Sequence, residues 1–130
     1  MTTVVDTSAL IEVVLKQPLA ERCAAVLRGG GELLISAGTL AEALVVAGRK
    51  GIGPALSLLL DGLRAQVVPV TGDTAARVGE AYSRWGRGVH PAGLNFGDCF
   101  AYALARERGL PLLFVGEDFA RTDVLQALGR

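Results

Sequence analysis

Apolar residues along this chain follow two alternating patterns. Short apolar runs lie at Thr3–Val5, Leu33–Ile35, Val67–Val70 and Leu112–Val115. Between them, apolar residues recur every three or four positions over longer stretches. Short runs without polar alternation read as strands covered on both faces, and the longer stretches as amphipathic helices. Strands alternating with helices predict a parallel sheet with crossover helices, an α/β domain.

Helix boundaries follow from capping chemistry. Thr7 or Ser8 can cap a helix through about Lys16, and Pro18 fits the first turn of a second helix ending near Arg28. Gly29–Gly31 stops that helix before the second strand. Thr39 opens a helix to about Arg49, closed by Gly51, and another covers roughly Pro54–Leu63. Asp73 or Thr74 starts a helix reaching about Trp85. The clearest boundaries belong to Phe96–Arg108, with Asn95 as cap, Gly109 after its end and Pro111 beyond. Gly86–Leu94, with three glycines and a proline, predicts an exposed loop. A short turn at Phe119–Arg121 and a final helix or turn from Asp123 close the chain. No repeat, low-complexity tract or linker divides it, so residues 1–130 are expected to form a single domain.

This topology gathers four acids. In a parallel sheet, strand C-termini and the N-termini of the returning helices share one rim, where such sheets place their ligands. Asp6 ends the first strand, and Glu42 lies in the first turn of the helix after the second. Asp98 lies in the first turn of the helix leading to the fourth strand, and Asp118 follows that strand. Each has a structural alternative. Thr39-Leu40-Ala41-Glu42 fits a capping box, and Asn95-Phe96-Gly97-Asp98 is a looser version of it. Asp118 can cap the next turn, and Asp6 can be a strand-end turn residue. Asp123 competes with Asp118, although Thr122-Asp123 also reads as a cap. Capping does not explain four acids converging on one rim. Carboxylates brought together repel one another unless a cation sits among them, and an all-oxygen donor set suits Mg²⁺ or Mn²⁺.

Other chemistries find little support. The chain has no GxxxxGK[ST] and no GxGxxG, which sets aside P-loop and dinucleotide folds. Asp6-Thr7-Ser8 lacks the second acid of haloacid-dehalogenase-like phosphatases, and Lys16 and Lys50, the only lysines, do not suit a receiver domain. His90 sits beside Pro91 in the glycine-rich loop, and Cys23 and Cys99 lie among apolar helix residues, so zinc and thiol catalysis are not expected.

Composition adds two points. Thirteen basic and thirteen acidic residues cancel, but neutralising four acids with metal leaves a net basic surface rich in arginine, a residue suited to phosphate. A hydrophobic fraction of 51% exceeds what a small soluble domain needs, yet no uncharged apolar run approaches the roughly 18 residues that cross a bilayer. No membrane association is expected. The surplus suggests a doubly covered sheet and a subunit interface, with the helix around Ala55–Leu60 the leading candidate for a homodimer contact through Leu56 or Leu59. Met1 leads straight into a strand without a basic leader, so a cytoplasmic location is expected.

Val5-Asp6-Thr7-Ser8-Ala9-Leu10, the Glu42 helix, the run from Asn95 to Ala103 and the run from Leu113 to Phe119 together resemble a PIN domain. They are similar in particular to the VapC-type toxins of bacterial toxin–antitoxin pairs. The resemblance runs from Val4 to about Asp123, with all four motifs in order. It implies a three-layer α/β/α fold around a central parallel sheet, a magnesium-dependent ribonuclease, a homodimer and inhibition by a VapB-like antitoxin. Metal-binding acids then carry over to Asp6 and Asp98, with Glu42 and Asp118 completing a catalytic quartet. Val115 stands where many relatives carry a polar residue, which leaves Asp118 and Asp123 both open as the fourth acid. The alternatives are a housekeeping PIN-like nuclease of RNA or DNA processing and a non-catalytic binding protein on the same fold.

Overall fold

Strand β1 (Thr3–Val5) lies inside the sheet, between β2 (Leu33–Ser36) and β4 (Leu112–Leu113), and β3 (Gln66–Val68) forms the edge beyond β2. This is a computed structural model that describes residues 1–129. All three pairings are parallel, with Val4 opposite both Leu34 and Leu112. From β1 the chain steps outward to β2 and β3, then returns to the other side of β1. That reversal makes the carboxyl ends of β1 and β4 a topological switch point, where a crevice opens.

Helices cover both faces. Val5, Leu33, Ile35 and Leu113 pack under α1 (Thr7–Val14), α2 (Ala20–Leu27), α3 (Ala37–Arg49) and α4 (Gly53–Leu63). Val4, Leu34, Leu112 and Phe114 pack under α5 (Gly72–Trp85) and α6 (Phe96–Arg108). Successive strand residues point to opposite faces, so a three-residue run such as Thr3–Val5 serves both layers. The result is the expected three-layer α/β/α arrangement. No helix among the described residues is long and apolar enough to cross a membrane.

Several boundaries differ from the sequence expectation. β3 stops at Val68 rather than Val70, because Pro69 has no N–H to extend the ladder. β4 stops at Leu113, because the Val115 N–H goes to the Ser8 hydroxyl. The free side of β4 is covered by the tail, where Leu112 exchanges backbone hydrogen bonds with Leu125 and Ala127. Asp6, not Thr7 or Ser8, caps α1; Ser36, not Thr39, caps α3; and Thr71, not Asp73 or Thr74, caps α5. Pro18 precedes α2, which starts at Ala20. Helix α6 runs as expected from its Asn95 cap to Gly109, whose φ of 64° is left-handed.

The Gly86–Leu94 loop is tied down rather than free. Gly86 and Leu94 pair as a bridge, Ala92 and Leu94 are buried, and the Arg121 guanidinium donates to the Pro91 carbonyl at 3.2 Å. Helix α4 divides between core and solvent. Leu56 is fully buried and Leu59 half-buried, whereas Leu58 is 76% exposed. Leu56 therefore belongs to the monomer core and is unavailable as an interface residue.

Candidate active site

Asp6 occupies the switch point. Its backbone N–H donates to the Leu113 carbonyl, and as N-cap of α1 it turns its side chain back toward the helix. Oδ2 accepts the Ser8 N–H at 3.0 Å and the Ser8 hydroxyl at 2.6 Å. Ser8 in turn accepts the Val115 N–H at 3.0 Å, which locks the ends of β1 and β4 together. Oδ1 is buried with no donor. A charged carboxylate left half-bare in the interior is costly, so burial favours the protonated form. Burial raises the pKa from 3.8 to about 7, against the lowering effect of the two Ser8 hydrogen bonds; Asp98 and Glu42 add smaller repulsions.

Asp98 is the third residue of α6 and serves two roles. Its Oδ2 accepts the Asn95 N–H at 3.0 Å while Asn95 Oδ1 accepts the Asp98 N–H at 2.8 Å, a closed capping box. The local reading of this motif therefore holds, and it engages only Oδ2 of a residue that also lines the cleft at the rim. Burial again is the largest cause that lifts the Asp98 pKa, to about 6. The Asn95 hydrogen bond and Arg87 lower it, and the charges of Glu42 and Asp118 raise it.

Glu42 does not form its expected capping box. With Ser36 as the cap, Thr39 falls inside the first turn and Glu42 in the second. The Thr39 hydroxyl is buried without a partner, and Glu42 Oε1 instead accepts the Thr7 hydroxyl at 2.8 Å. A cleft of about 320 Å³ is lined by Asp6, Ser8, Glu12, Glu42, Asp98 and Val115. Three of the four expected acids therefore share one cavity.

The fourth acid stands apart. Asp118 is exposed, lies outside the cleft lining, and reaches Asp98 only through its charge. Asp123 is committed elsewhere: its Oδ1 accepts the Tyr102 hydroxyl at 2.6 Å and pairs with Arg106 at 3.6 Å. Trp85 Nε1 donates to the same Tyr102 oxygen at 2.8 Å, so Asp123 fastens the tail to α5 and α6. Thr122 accepts the Val124 N–H at 3.4 Å in a turn and is the C-cap of the 3₁₀ turn Phe119–Arg121 rather than the N-cap of a following helix.

Glu12 was not singled out from the sequence. It lies one helical turn beyond Ser8, the i, i+4 spacing that shares a face, and one oxygen accepts the Leu19 N–H at 2.9 Å. His90 and the cysteines keep their structural roles. His90 accepts the Ala92 N–H at 3.0 Å and packs edge-on to Trp85, and both thiols are buried. A larger cavity of about 600 Å³ between α5 and α6 contains none of the rim acids.

Among the described residues, no three metal-binding groups close into a ready coordination shell. What the cleft offers is an orphaned buried oxygen on Asp6, a second carboxylate whose pKa burial also raises, and Glu42 beside them. Oxygen donors that resist ionisation when left alone fit a hard divalent cation, which would replace their protons.

The chain is similar to known proteins along nearly its whole length. Residues 3–125 match the PIN domain family. The chain is 44% identical over 124 residues to a VapC ribonuclease of Mycobacterium bovis, covering 93% of this chain and 95% of that protein. Among solved structures it resembles VapC20 of Mycobacterium tuberculosis, a sarcin-ricin loop cleaving toxin, with a TM-score of 0.78 and 17% identity over 96% of this chain and 98% of that one. It also resembles a chain of a toxin–antitoxin complex from Klebsiella pneumoniae, with a TM-score of 0.71 and 19% identity over 97% of each.

Proposed function

The chain belongs to the PIN domain family, and from that premise we propose that it is an endoribonuclease that hydrolyses RNA phosphodiester bonds with a bound divalent cation, as the toxin of a toxin–antitoxin pair. The ribonuclease relatives support the substrate class. The observation that carries the mechanism is the buried, unpartnered Oδ1 of Asp6 in the cleft it shares with Asp98 and Glu42.

Asp6 and Asp98 are the direct ligands in this reading, and Glu42 and Asp118 hold the ion directly or through water. Mg²⁺ is the proposed ion and Mn²⁺ its substitute, because both are hard cations suited to carboxylate oxygens. When bound, such a cation supplies positive charge to the scissile phosphate and acidity to the attacking water. Ser8 keeps Oδ2 of Asp6 occupied, so the remaining lone pairs of that carboxylate belong to Oδ1. Thr7 orients Glu42 by donating its hydroxyl to Oε1. Arg87, near enough to lower the Asp98 pKa, would meet the RNA backbone in this reading. A VapB-like antitoxin is the proposed inhibitor, in line with the toxin–antitoxin complex among the structural neighbours.

Purified protein should cut single-stranded or hairpin RNA with Mg²⁺ or Mn²⁺ and stop with EDTA. Cleavage that persists in chelator, or that survives both Asp6→Asn and Asp98→Asn, would overturn the metal mechanism. Expression of the chain alone should arrest growth, with Asp6→Ala abolishing the arrest at equal protein level. Unimpaired growth with an active wild-type nuclease would point instead to a housekeeping role.

A further inference from the structure

Gly97 stands between two of the acids, and its backbone does not explain why it is glycine. It is the second residue of α6, and its φ is not positive, so any side chain could adopt its conformation. The space where its Cβ would project is filled by the Glu42 carboxyl group. Oε2 would clash outright with an added Cβ, and Oε1 would lie 3.1 Å from it. At Gly48, Gly62 and Gly79 an added Cβ would meet nothing within 4 Å, and at the other crowded helical glycine, Gly38 of α3, it would meet the Phe100 ring rather than an acid.

We propose that Gly97 is a positioning residue, whose missing side chain seats the Glu42 carboxylate against the first turn of α6, one residue from Asp98. The proposal rests on the divalent-cation reading of the cleft. Two independent constraints then fix Glu42. Thr7 holds Oε1 from α1, and the bare face of Gly97 admits Oε2 on α6. Together they set the separation at which Glu42 and Asp98 can act on one ion. A methyl group at position 97 would push Oε2 away, which requires the carboxyl to rotate out of its Thr7 hydrogen bond or to withdraw from Asp98.

The clash involves only the far end of a flexible side chain, so Gly97→Ala should fold. Alanine also favours the helix over glycine. The decisive experiment is Mn²⁺ binding by titration calorimetry on wild type, Gly97→Ala, Glu42→Ala and the double variant, with thermal unfolding in EDTA alongside. Gly97→Ala should unfold at or above the wild-type temperature and bind Mn²⁺ about tenfold more weakly, as for loss of an orienting partner. RNA cleavage should lose kcat with KM little changed. In the Glu42→Ala background the same substitution should have no further effect on Mn²⁺ affinity, because it acts through Glu42. Wild-type Mn²⁺ affinity in Gly97→Ala, an equal loss with and without Glu42, or a clear drop in unfolding temperature would each overturn the assignment. Wild-type protein that neither binds Mn²⁺ nor cuts RNA would instead remove the metal reading on which it rests.

Discussion

The Thr7 hydroxyl donates to Glu42 Oε1 at 2.8 Å, joining the first turn of α1 to the second turn of α3. The two residues are 35 positions apart, and their contact replaces the local capping box that Thr39 would have made with Glu42. Thr7→Val keeps the shape of the side chain and removes the hydrogen bond. It should cost about 1 kcal/mol in denaturant unfolding. Loss of the partner that orients Glu42 should lower RNA cleavage by about tenfold or more. Unchanged kcat in Thr7→Val would separate this hydrogen bond from the site's chemistry.

Asp6→Asn tests whether the buried acid is held for function at the expense of stability. The amide oxygen can still accept from Ser8, while the unpaired buried charge disappears. In EDTA at about pH 8 the variant should be at least as stable as wild type. Its RNA cleavage should fall about 10²-fold or more, since a direct ligand matters at least as much as an orienting partner. Parallel melting and cleavage assays check both halves.

The pH dependence of the metal-free protein follows from the same two acids. Their folded pKa values, about 7 for Asp6 and about 6 for Asp98, lie above the ordinary 3.8. The folded state therefore holds protons that the unfolded chain has released. Their favourable share of stability is complete below the ordinary carboxylate range and is lost as pH rises through about 6 and then about 7. The unfolding temperature in EDTA should fall between about pH 5 and about pH 8, and Asp6→Asn should flatten that fall. Added Mg²⁺ or Mn²⁺ should raise it more at the higher pH, where protons no longer compete for the carboxylates.

Asp118 and Asp123 should separate cleanly. Asp118→Asn removes an exposed charge felt at Asp98, so cleavage should drop with no change in stability. Asp123→Ala leaves the Tyr102 hydroxyl without its acceptor and should cost about 1–2 kcal/mol, with cation affinity within about twofold of wild type. The exposed Arg106 pair contributes little to that cost. The opposite pattern in calorimetry and unfolding would return Asp123 to the site.

Leu56 and Leu58 divide the two fates of α4. Leu56→Glu buries a carboxylate in the core and should unfold the protein, whereas Leu58→Glu should stay folded and soluble. Leu44, Val45 and Leu58 are exposed apolar residues on α3 and α4, and we propose that they contribute to a homodimer contact. Light scattering should then report a dimer for wild type and a monomer for Leu58→Glu. A monodisperse wild-type monomer at tens of micromolar concentration would remove the homodimer.

What the sequence by itself determined is what short-range physics controls. Apolar runs separated by helical periodicity placed all four strands, and with them the rim on which Asp6 and Asp98 meet. The Asn95–Asp98 capping box lies within four consecutive residues, so it was legible without a fold. Choices between equivalent local caps were not. Asp6, Thr7, Ser36 and Thr39 are all residue types that can cap a helix, so the helix could start at either member of each pair. Only packing decided among them, by burying Thr39 and turning Thr7 toward Glu42. The tertiary structure likewise assigned Asp123 to Tyr102, left Oδ1 of Asp6 bare, and brought Glu42 onto the open face of Gly97. Each of these depends on where separate elements come to rest against one another, and periodicity along the chain carries no record of the distance between two helices.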